Sequence, residues 1–253
     1  MVKNTYDYWN KRTPYTWGSY KDMRELRYKL QDYMLDTFRF QDFKGKKVLE
    51  IGCGSGIDSA EFIKNGADVY ATDMTESAVK HTKNLFKKLN FNEEVISNVR
   101  KVDARNLPFE DNFFDHIYTY GVLHHIPDVK DAVSEIYRVL NPKGSCHVML
   151  YHKNSLLYYY SILYLGGIKH KGFDEGLNEE QLTAKYSEAK ENCPYTKVYT
   201  REDSYMLFKE AGFENIEVSI KYNVIDTDKI RKIKVDNMPN ELGWHIIVKT
   251  LKT

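Results

Sequence analysis

Glu50, Gly52, Gly54, Gly56 and Asp73 are the residues of this chain whose types and spacing most directly imply chemistry. Glycines at alternate positions let a backbone turn sharply, and let a ligand approach where a Cβ would stand in its way. A helix that opens behind such a turn points free N–H groups and the positive end of its dipole at the ligand. Asp73 ends a second apolar stretch about 20 residues beyond the first glycine, the spacing that sets an acid on ribose hydroxyls. These residues, with Cys53 inside the loop, describe a site for a nucleoside-bearing cofactor. Glu50 narrows the choice: it would repel a pyrophosphate but would suit a cationic amine or sulfonium.

A second group carries candidate acid–base chemistry. His124 and His125 follow the apolar run that ends in Tyr120-Gly121, and His152 follows Tyr151 at the end of another. A neutral imidazole at such a place can take a proton from a hydroxyl or an amine. The competing reading of each is a loop histidine held by a backbone carbonyl. His124 and His152 are the candidate bases, and His116, inside a strand, belongs to the core. Trp9, Tyr28, His125, Tyr151, Tyr195 and Tyr199 are candidates for holding an acceptor. The N-terminal aromatics, with Arg12, Arg24 and Arg27, suit a lid that excludes water, and enclosed aromatics can also hold a cation. The alternative is a helix that merely covers a sheet edge. Asp58 and Ser59 fall in the first turn of the helix behind the glycine loop, within reach of a cofactor's charged end.

These residues need strands to carry them. Val48, Leu49 and Ile51 suit a central strand buried on both faces. A helix over about 57–65 stops at Gly66, and Thr75 caps a second helix whose stripe is Ala78, Thr82, Leu85, Phe86 and Leu89. Strands follow near 99–102 and over 114–120. A helix from Asp128 buries Val129, Val133, Ile136 and Leu140, and Asn141-Pro142-Lys143-Gly144 ends it. Further strands are expected over 146–151, 216–220 and 244–250, with a helix over about 201–211. Residues 20–40 have the spacing of one amphipathic helix, while 1–19 are aromatic and polar with little periodicity. Alternating strands and helices imply an α/β fold, doubly wound, with right-handed crossovers. The expected division is a lid segment, 1–44, and one domain, 45–253, with a substrate-side insertion over 152–200.

Composition adds boundaries. Apolar residues make up 42% and charged residues 29%, ordinary for a globular chain, and the net charge of +1 leaves no basic track for nucleic acid. Three cysteines, Cys53, Cys146 and Cys193, form no C-x-x-C, which favours a reducing compartment. No signal-peptide core and no run of ~18 apolar residues is present, so a cytoplasmic protein without a membrane span is expected. No histidine, cysteine and carboxylate set has metal-ligand spacing, so no metal is expected. The tyrosine- and leucine-rich stretch 155–168 suits a pocket wall or, second, a homodimer contact.

Five ordered blocks then resemble one family. They are Val48 to Gly56; Ala71-Thr72-Asp73-Met74-Thr75; Val102-Asp103-Ala104 to Phe109; Asn112 to Ile117 leading to Gly121-Val122-Leu123-His124-His125; and Tyr137 to Gly144. Over about residues 45–150 the chain resembles the class I S-adenosylmethionine-dependent methyltransferases, most of all the type 11 subgroup with the ubiquinone- and menaquinone-biosynthesis enzymes. The resemblance implies a Rossmann-like, mostly parallel seven-stranded sheet with an antiparallel last strand. It implies S-adenosylmethionine on the glycine loop, Asp73 on the ribose, Met74 on the adenine face, Asp103 and Ala104 on the adenine edge, and Tyr120 and Gly121 alongside. The reaction would be in-line attack of an acceptor on the sulfonium methyl, releasing S-adenosylhomocysteine, with orientation supplying ~7–11 kcal/mol. A small-molecule acceptor is expected. An RNA or protein methyltransferase, a nicotinamide-dependent oxidoreductase on a related fold and a cofactor-binding protein without activity are the alternatives.

Overall fold

The computed structural model describes residues 2–11, 18–188, 194–229 and 232–253. Arg12 and Cys193, named above, lie outside the described residues, as do Tyr15 and Trp17 of the N-terminal aromatics. Seven strands form one sheet in the order β3-β2-β1-β4-β5-β9-β6. They are β1 (Lys47–Ile51), β2 (Asp68–Asp73), β3 (Val99–Lys101), β4 (Phe114–Tyr120), β5 (Leu140–Tyr151), β6 (Glu214–Lys221) and β9 (His245–Leu251). β1 to β5 pair in parallel, and β9 runs antiparallel between β5 and β6. The short strands β7 (Val224–Ile225) and β8 (Ile233–Lys234) make a separate ribbon inside the β6–β9 connection, which the sequence pattern did not reveal.

Alternation along the strands sorts the core into two layers. Leu49, Ile51, Ile117, Val148 and Val248 pack beneath α7 (Val129–Val139) and α9 (Arg201–Glu210). Val48, Tyr118, Met149 and Ile247 pack on the other side, against Phe38, Phe40 and Phe62 and the wide helix Leu157–Lys169. A third cluster sets Leu85 and Phe86 of α5 (Glu76–Lys88) and Ile96 of α6 (Glu93–Ser97) on Ala71 and Val99. Each aliphatic side chain so buried contributes about 1.5–3 kcal/mol. Among the described residues no helix is long and apolar enough to cross a membrane.

Several expectations change in detail. The run 20–40 is not one helix: α2 (Tyr20–Leu30) ends in a turn, α3 (Met34–Phe38) stops at Arg39 with a left-handed φ of 47°, and a 3-10 turn covers Phe40–Phe43. Residues Val2–Lys11 form a helix, α1, that local periodicity did not show. Leu140 opens β5 rather than closing α7, because the strand continues through Asn141–Gly144 with a register shift against β4. The first half of the 152–200 segment is the wide helix, followed by α8 (Glu179–Ser187). Leu89 is only half-buried, while the rest of its stripe is buried as expected.

Candidate active site

The strand order reverses beside β1, between β2 and β4, and open α/β sheets bind ligands at the carboxyl ends of such strands. Gly52 and Cys53 both donate to the Thr72 carbonyl at 2.7 and 2.9 Å, pinning the loop to β2. Gly52 has φ 78°, and a Cβ there would lie 2.1 Å from Val122 Cγ2, so the close approach of the loop after β4 requires glycine. At Gly54 a Cβ would meet nothing within 4 Å: this is the open face of the loop. Gly56 starts α4 (Ile57–Lys64), directing that helix N-terminus into the crevice.

Asp73 stands across this loop. One carboxylate oxygen accepts from Thr75 N (2.9 Å) and Thr75 Oγ1 (2.8 Å), and the other from Gly54 N (3.2 Å). Burial raises its carboxyl pKa, and those three donors oppose the rise. Met74 beside it is half-buried. Ala104 is buried behind β3, whereas Asp103 is exposed and paired with Arg105 (2.7 Å), which lowers its pKa. Arg105 was not among the sequence candidates. A ligand amine arriving at Asp103 meets a carboxylate that already has a cationic partner.

Glu50 points to the opposite face from Leu49 and Ile51. It is buried and accepts a hydrogen bond from Ser59 Oγ. Burial, with Asp58 nearby, pushes its carboxyl pKa well up. Asp58 itself accepts from Arg27 Nε and Nη2, from Tyr28 OH (2.9 Å) and from Tyr118 OH (2.9 Å). One turn along, Arg24 grips Glu61 with two bonds of 2.6 and 2.7 Å. Burial works against the Arg27 cation, but the Asp58 carboxylate outweighs it and holds the pKa up. So α2 is seated on α4 by two bidentate arginine–carboxylate pairs, the strongest geometry for this pairing. Asp58 and Ser59, expected within reach of the cofactor's charged end, are engaged with Arg27, Tyr28 and Glu50. Tyr28, singled out as an acceptor contact, places its hydroxyl on Asp58.

Tyr120 joins this face to a second one. Its ring lies under the Arg27 guanidinium, 5.0 Å away, and its chain continues into Gly121. Its hydroxyl is 2.6 Å from Tyr33 OH, which is 2.6 Å from His245 Nδ1. Burial lowers the His245 pKa far enough to keep the ring neutral, and Lys232 and Arg27 add to the effect. Tyr33 OH, Tyr120 OH and His245 Nδ1 thus share one hydrogen-bonded cluster, in which the neutral ring can take up a proton. Neither Tyr33 nor His245 was a sequence candidate. They lie 212 residues apart and share no local pattern.

Tyr151 continues the row. Its ring stacks on Trp244 at 4.4 Å and on His124 at 3.7 Å. His124 is fully buried, with no hydrogen-bond partner for either ring nitrogen among the described residues, and burial with neighbouring His125 lowers its pKa well below the usual value. A buried polar atom left unpaired costs about 1–3 kcal/mol. His125 Nδ1 lies 2.8 Å from the Tyr195 carbonyl, and Trp9 packs 5.1 Å from its ring. Tyr195 thus meets the site through its backbone. Tyr199 bridges to His152 by its backbone, and its ring joins the layer under α9. His152 is buried with Nδ1 on the Gly243 carbonyl, 2.9 Å away, the bland role weighed for it. His124, His125 and Glu188 bring three potential metal-ligand atoms within 4.8 Å of one another. Sequence spacing hid this, because Glu188 arrives from beyond α8.

Comparison with known proteins extends these observations. Residues 49–148 match the model of a methyltransferase domain. A demethylmenaquinone methyltransferase from Geobacillus sp. (strain WCH70) is 28% identical over 69% of this chain and 74% of its own length. A ubiquinone biosynthesis O-methyltransferase from Coxiella burnetii is 31% identical over 47% of this chain, and the match spans about half (50%) of that relative. An S-adenosylmethionine-dependent methyltransferase from Mesorhizobium loti superposes with a TM-score of 0.60 at 16% identity, covering 87% of this chain and 97% of that one, a likeness of fold.

Proposed function

Because the chain belongs to the class I S-adenosylmethionine-dependent methyltransferases, with S-adenosylmethionine as its cofactor, we propose that it methylates a small-molecule acceptor. The acceptor lies between α2 and the ends of β4, β5 and β9. The observation that carries this is Tyr120. Its backbone leads into Gly121 beside the cofactor loop, and its hydroxyl leads into Tyr33 and His245. The methyl donor and a proton acceptor are therefore adjacent. In the proposed step the acceptor's nucleophile attacks the sulfonium methyl in line, and S-adenosylhomocysteine leaves. Where the nucleophile carries a proton, the path through Tyr33 and Tyr120 to neutral His245 receives it; a thiolate or phenolate needs none.

The lid role of 1–44 and the substrate-side role of 152–200 belong to the same proposal. α2 is latched through Asp58 and Glu61, and closure over the site keeps water out. Tyr151, Trp244, His124 and His125 form the aromatic wall. A small acceptor is favoured over RNA because the net charge is only +1 and the lid arginines Arg24 and Arg27 already hold carboxylates. The demethylmenaquinone and ubiquinone-pathway relatives point to a phenolic or quinol-like acceptor. The test is methyl transfer from labelled S-adenosylmethionine to catechols, hydroquinones, small amines and thiols, beside total RNA and protein. Label in a phenolic acceptor supports the reading; label confined to RNA or protein overturns it.

A further inference from the structure

His124 is a buried imidazole with both nitrogens unpartnered among the described residues, on the wall where the acceptor is placed. Next to it, His125 is oriented by its Nδ1–H, which donates to the Tyr195 carbonyl at 2.8 Å, with Thr196 Oγ1 3.2 Å from the same nitrogen. Since a carbonyl only accepts, the His125 lone pair sits on Nε2, and Nε2 lies 3.8 Å from Glu188 Oε1. Glu188 is itself positioned by Tyr151 OH at 2.5 Å. Metal-binding histidines typically give their other N–H to a backbone carbonyl, which fixes the tautomer and aims the ring. His125 has that arrangement: Tyr195 and Thr196 hold its ring, and Tyr151 holds Glu188 opposite it.

We propose that His124, His125 and Glu188 form a binding site for a first-row divalent cation, which leaves coordination positions open toward the acceptor. The proposal rests on the small-molecule reading only for the open positions; the site itself stands on these three residues. Two neutral imidazoles and a carboxylate suit zinc, iron or manganese better than magnesium, which prefers oxygen and water. Ligands about 2.0–2.2 Å from zinc lie roughly 3–4 Å from one another, so donor atoms within 4.8 Å need only small side-chain rotations to converge. Three protein ligands with an open position are the pattern of a reactive metal rather than a structural one. An acceptor oxygen, such as a catecholic one, would fill that position.

The test is metal binding by the full chain with no turnover involved. Protein stripped with a chelator is titrated with Zn²⁺ by calorimetry and with Co²⁺ by visible absorption, in the presence of S-adenosylhomocysteine. The expected result is one ion per chain, with affinity reduced at least about tenfold in both His124→Phe and Glu188→Gln. The phenyl ring of His124→Phe keeps the stack on Tyr151. S-adenosylhomocysteine affinity, measured in the same samples, reports folding and separates a failed metal site from a failed cofactor reading. No ion taken up by the wild type overturns the proposal, whatever the variants do. Uptake that persists in full in both variants also overturns it, since surface histidines then hold the metal.

Discussion

On the cofactor side of the crevice, neighbours in the chain make the site: Gly52 to Gly56 form one turn, and Asp73 to Thr75 form the next, joined by the bonds from Gly52 and Cys53 to Thr72 and from Gly54 to Asp73. On the acceptor side, Tyr33, Tyr120, Tyr151, Glu188 and His245 come from five separate elements or connections; Tyr151 and His245 are register partners across β5 and β9, and the hydrogen bonds that join the rest are between side chains. The first region is a backbone device that tolerates no Cβ at Gly52. The second is a side-chain device, where single hydroxyls and rings can be exchanged. Substitutions in the first should strike folding and cofactor binding together; substitutions in the second should divide them.

The largest effect is expected at Gly52→Ala. A left-handed residue costs about 1–2 kcal/mol, and overlap with Val122 adds about 1–3 kcal/mol. Urea unfolding should show a loss clearly greater than for Gly54→Ala, where the backbone is also left-handed but the space is open. Equal losses would remove the Val122 argument. Next comes Asp58→Asn. It leaves Arg27 partly buried beside a neutral amide, at about 2–3 kcal/mol, below the ~3–5 kcal/mol of a fully buried pair because Arg27 keeps some solvent contact. Faster proteolysis of α2, measured with and without S-adenosylhomocysteine, would show the lid released. An unchanged cleavage rate would mean that the latch lies elsewhere.

This contrast also explains what was legible in the sequence. β4 at 114–120, the Thr75 cap and the α7 stripe of Val129, Val133 and Ile136 follow from local periodicity and capping, and the structure has them. Glu50 through Gly56 and Asp73 were visible for the same reason, since their geometry is set within a few residues. α1 was not legible, because tertiary contacts such as Trp9 on His125 and Tyr6 beneath Lys101 support it. Asp58 looked like a first-turn helix residue until Arg27 arrived from 31 positions away. His245 and Glu188 carry no motif at all.

Smaller effects sharpen the acceptor side. Burial depresses the His124 pKa, so below the unfolded value of about 6.5 the unfolded chain takes up a proton that the folded chain refuses. Its contribution is therefore intact above that pH and is lost as pH falls, by about 0.7 kcal/mol between pH 7 and 6. Urea titrations at both pH values should show that share of the pH dependence missing in His124→Phe; an unchanged pH slope would argue against a neutral buried ring. The smallest change is expected for Tyr199→Phe. Its buried hydroxyl has no partner among the described residues, so stability should stay within about 0.5 kcal/mol of wild type or rise, with S-adenosylhomocysteine affinity unaltered. A clear loss would reveal a contact for that hydroxyl.

The most direct measurement is calorimetric titration of S-adenosylhomocysteine into the wild-type chain and Asp73→Asn. The asparagine can still accept from Thr75 but lacks the charge that ribose hydroxyls would meet. With a charged hydrogen bond contributing about 1.5–3 kcal/mol, the wild type should bind one ligand per chain and the variant should bind roughly ten- to a hundredfold more weakly, with a lower melting temperature as well, since the amide NH2 cannot accept from Gly54 N as the second carboxylate oxygen does. Equal affinity in both proteins, or no binding by the wild type, would contradict the assignment of the glycine loop and Asp73 as the cofactor site.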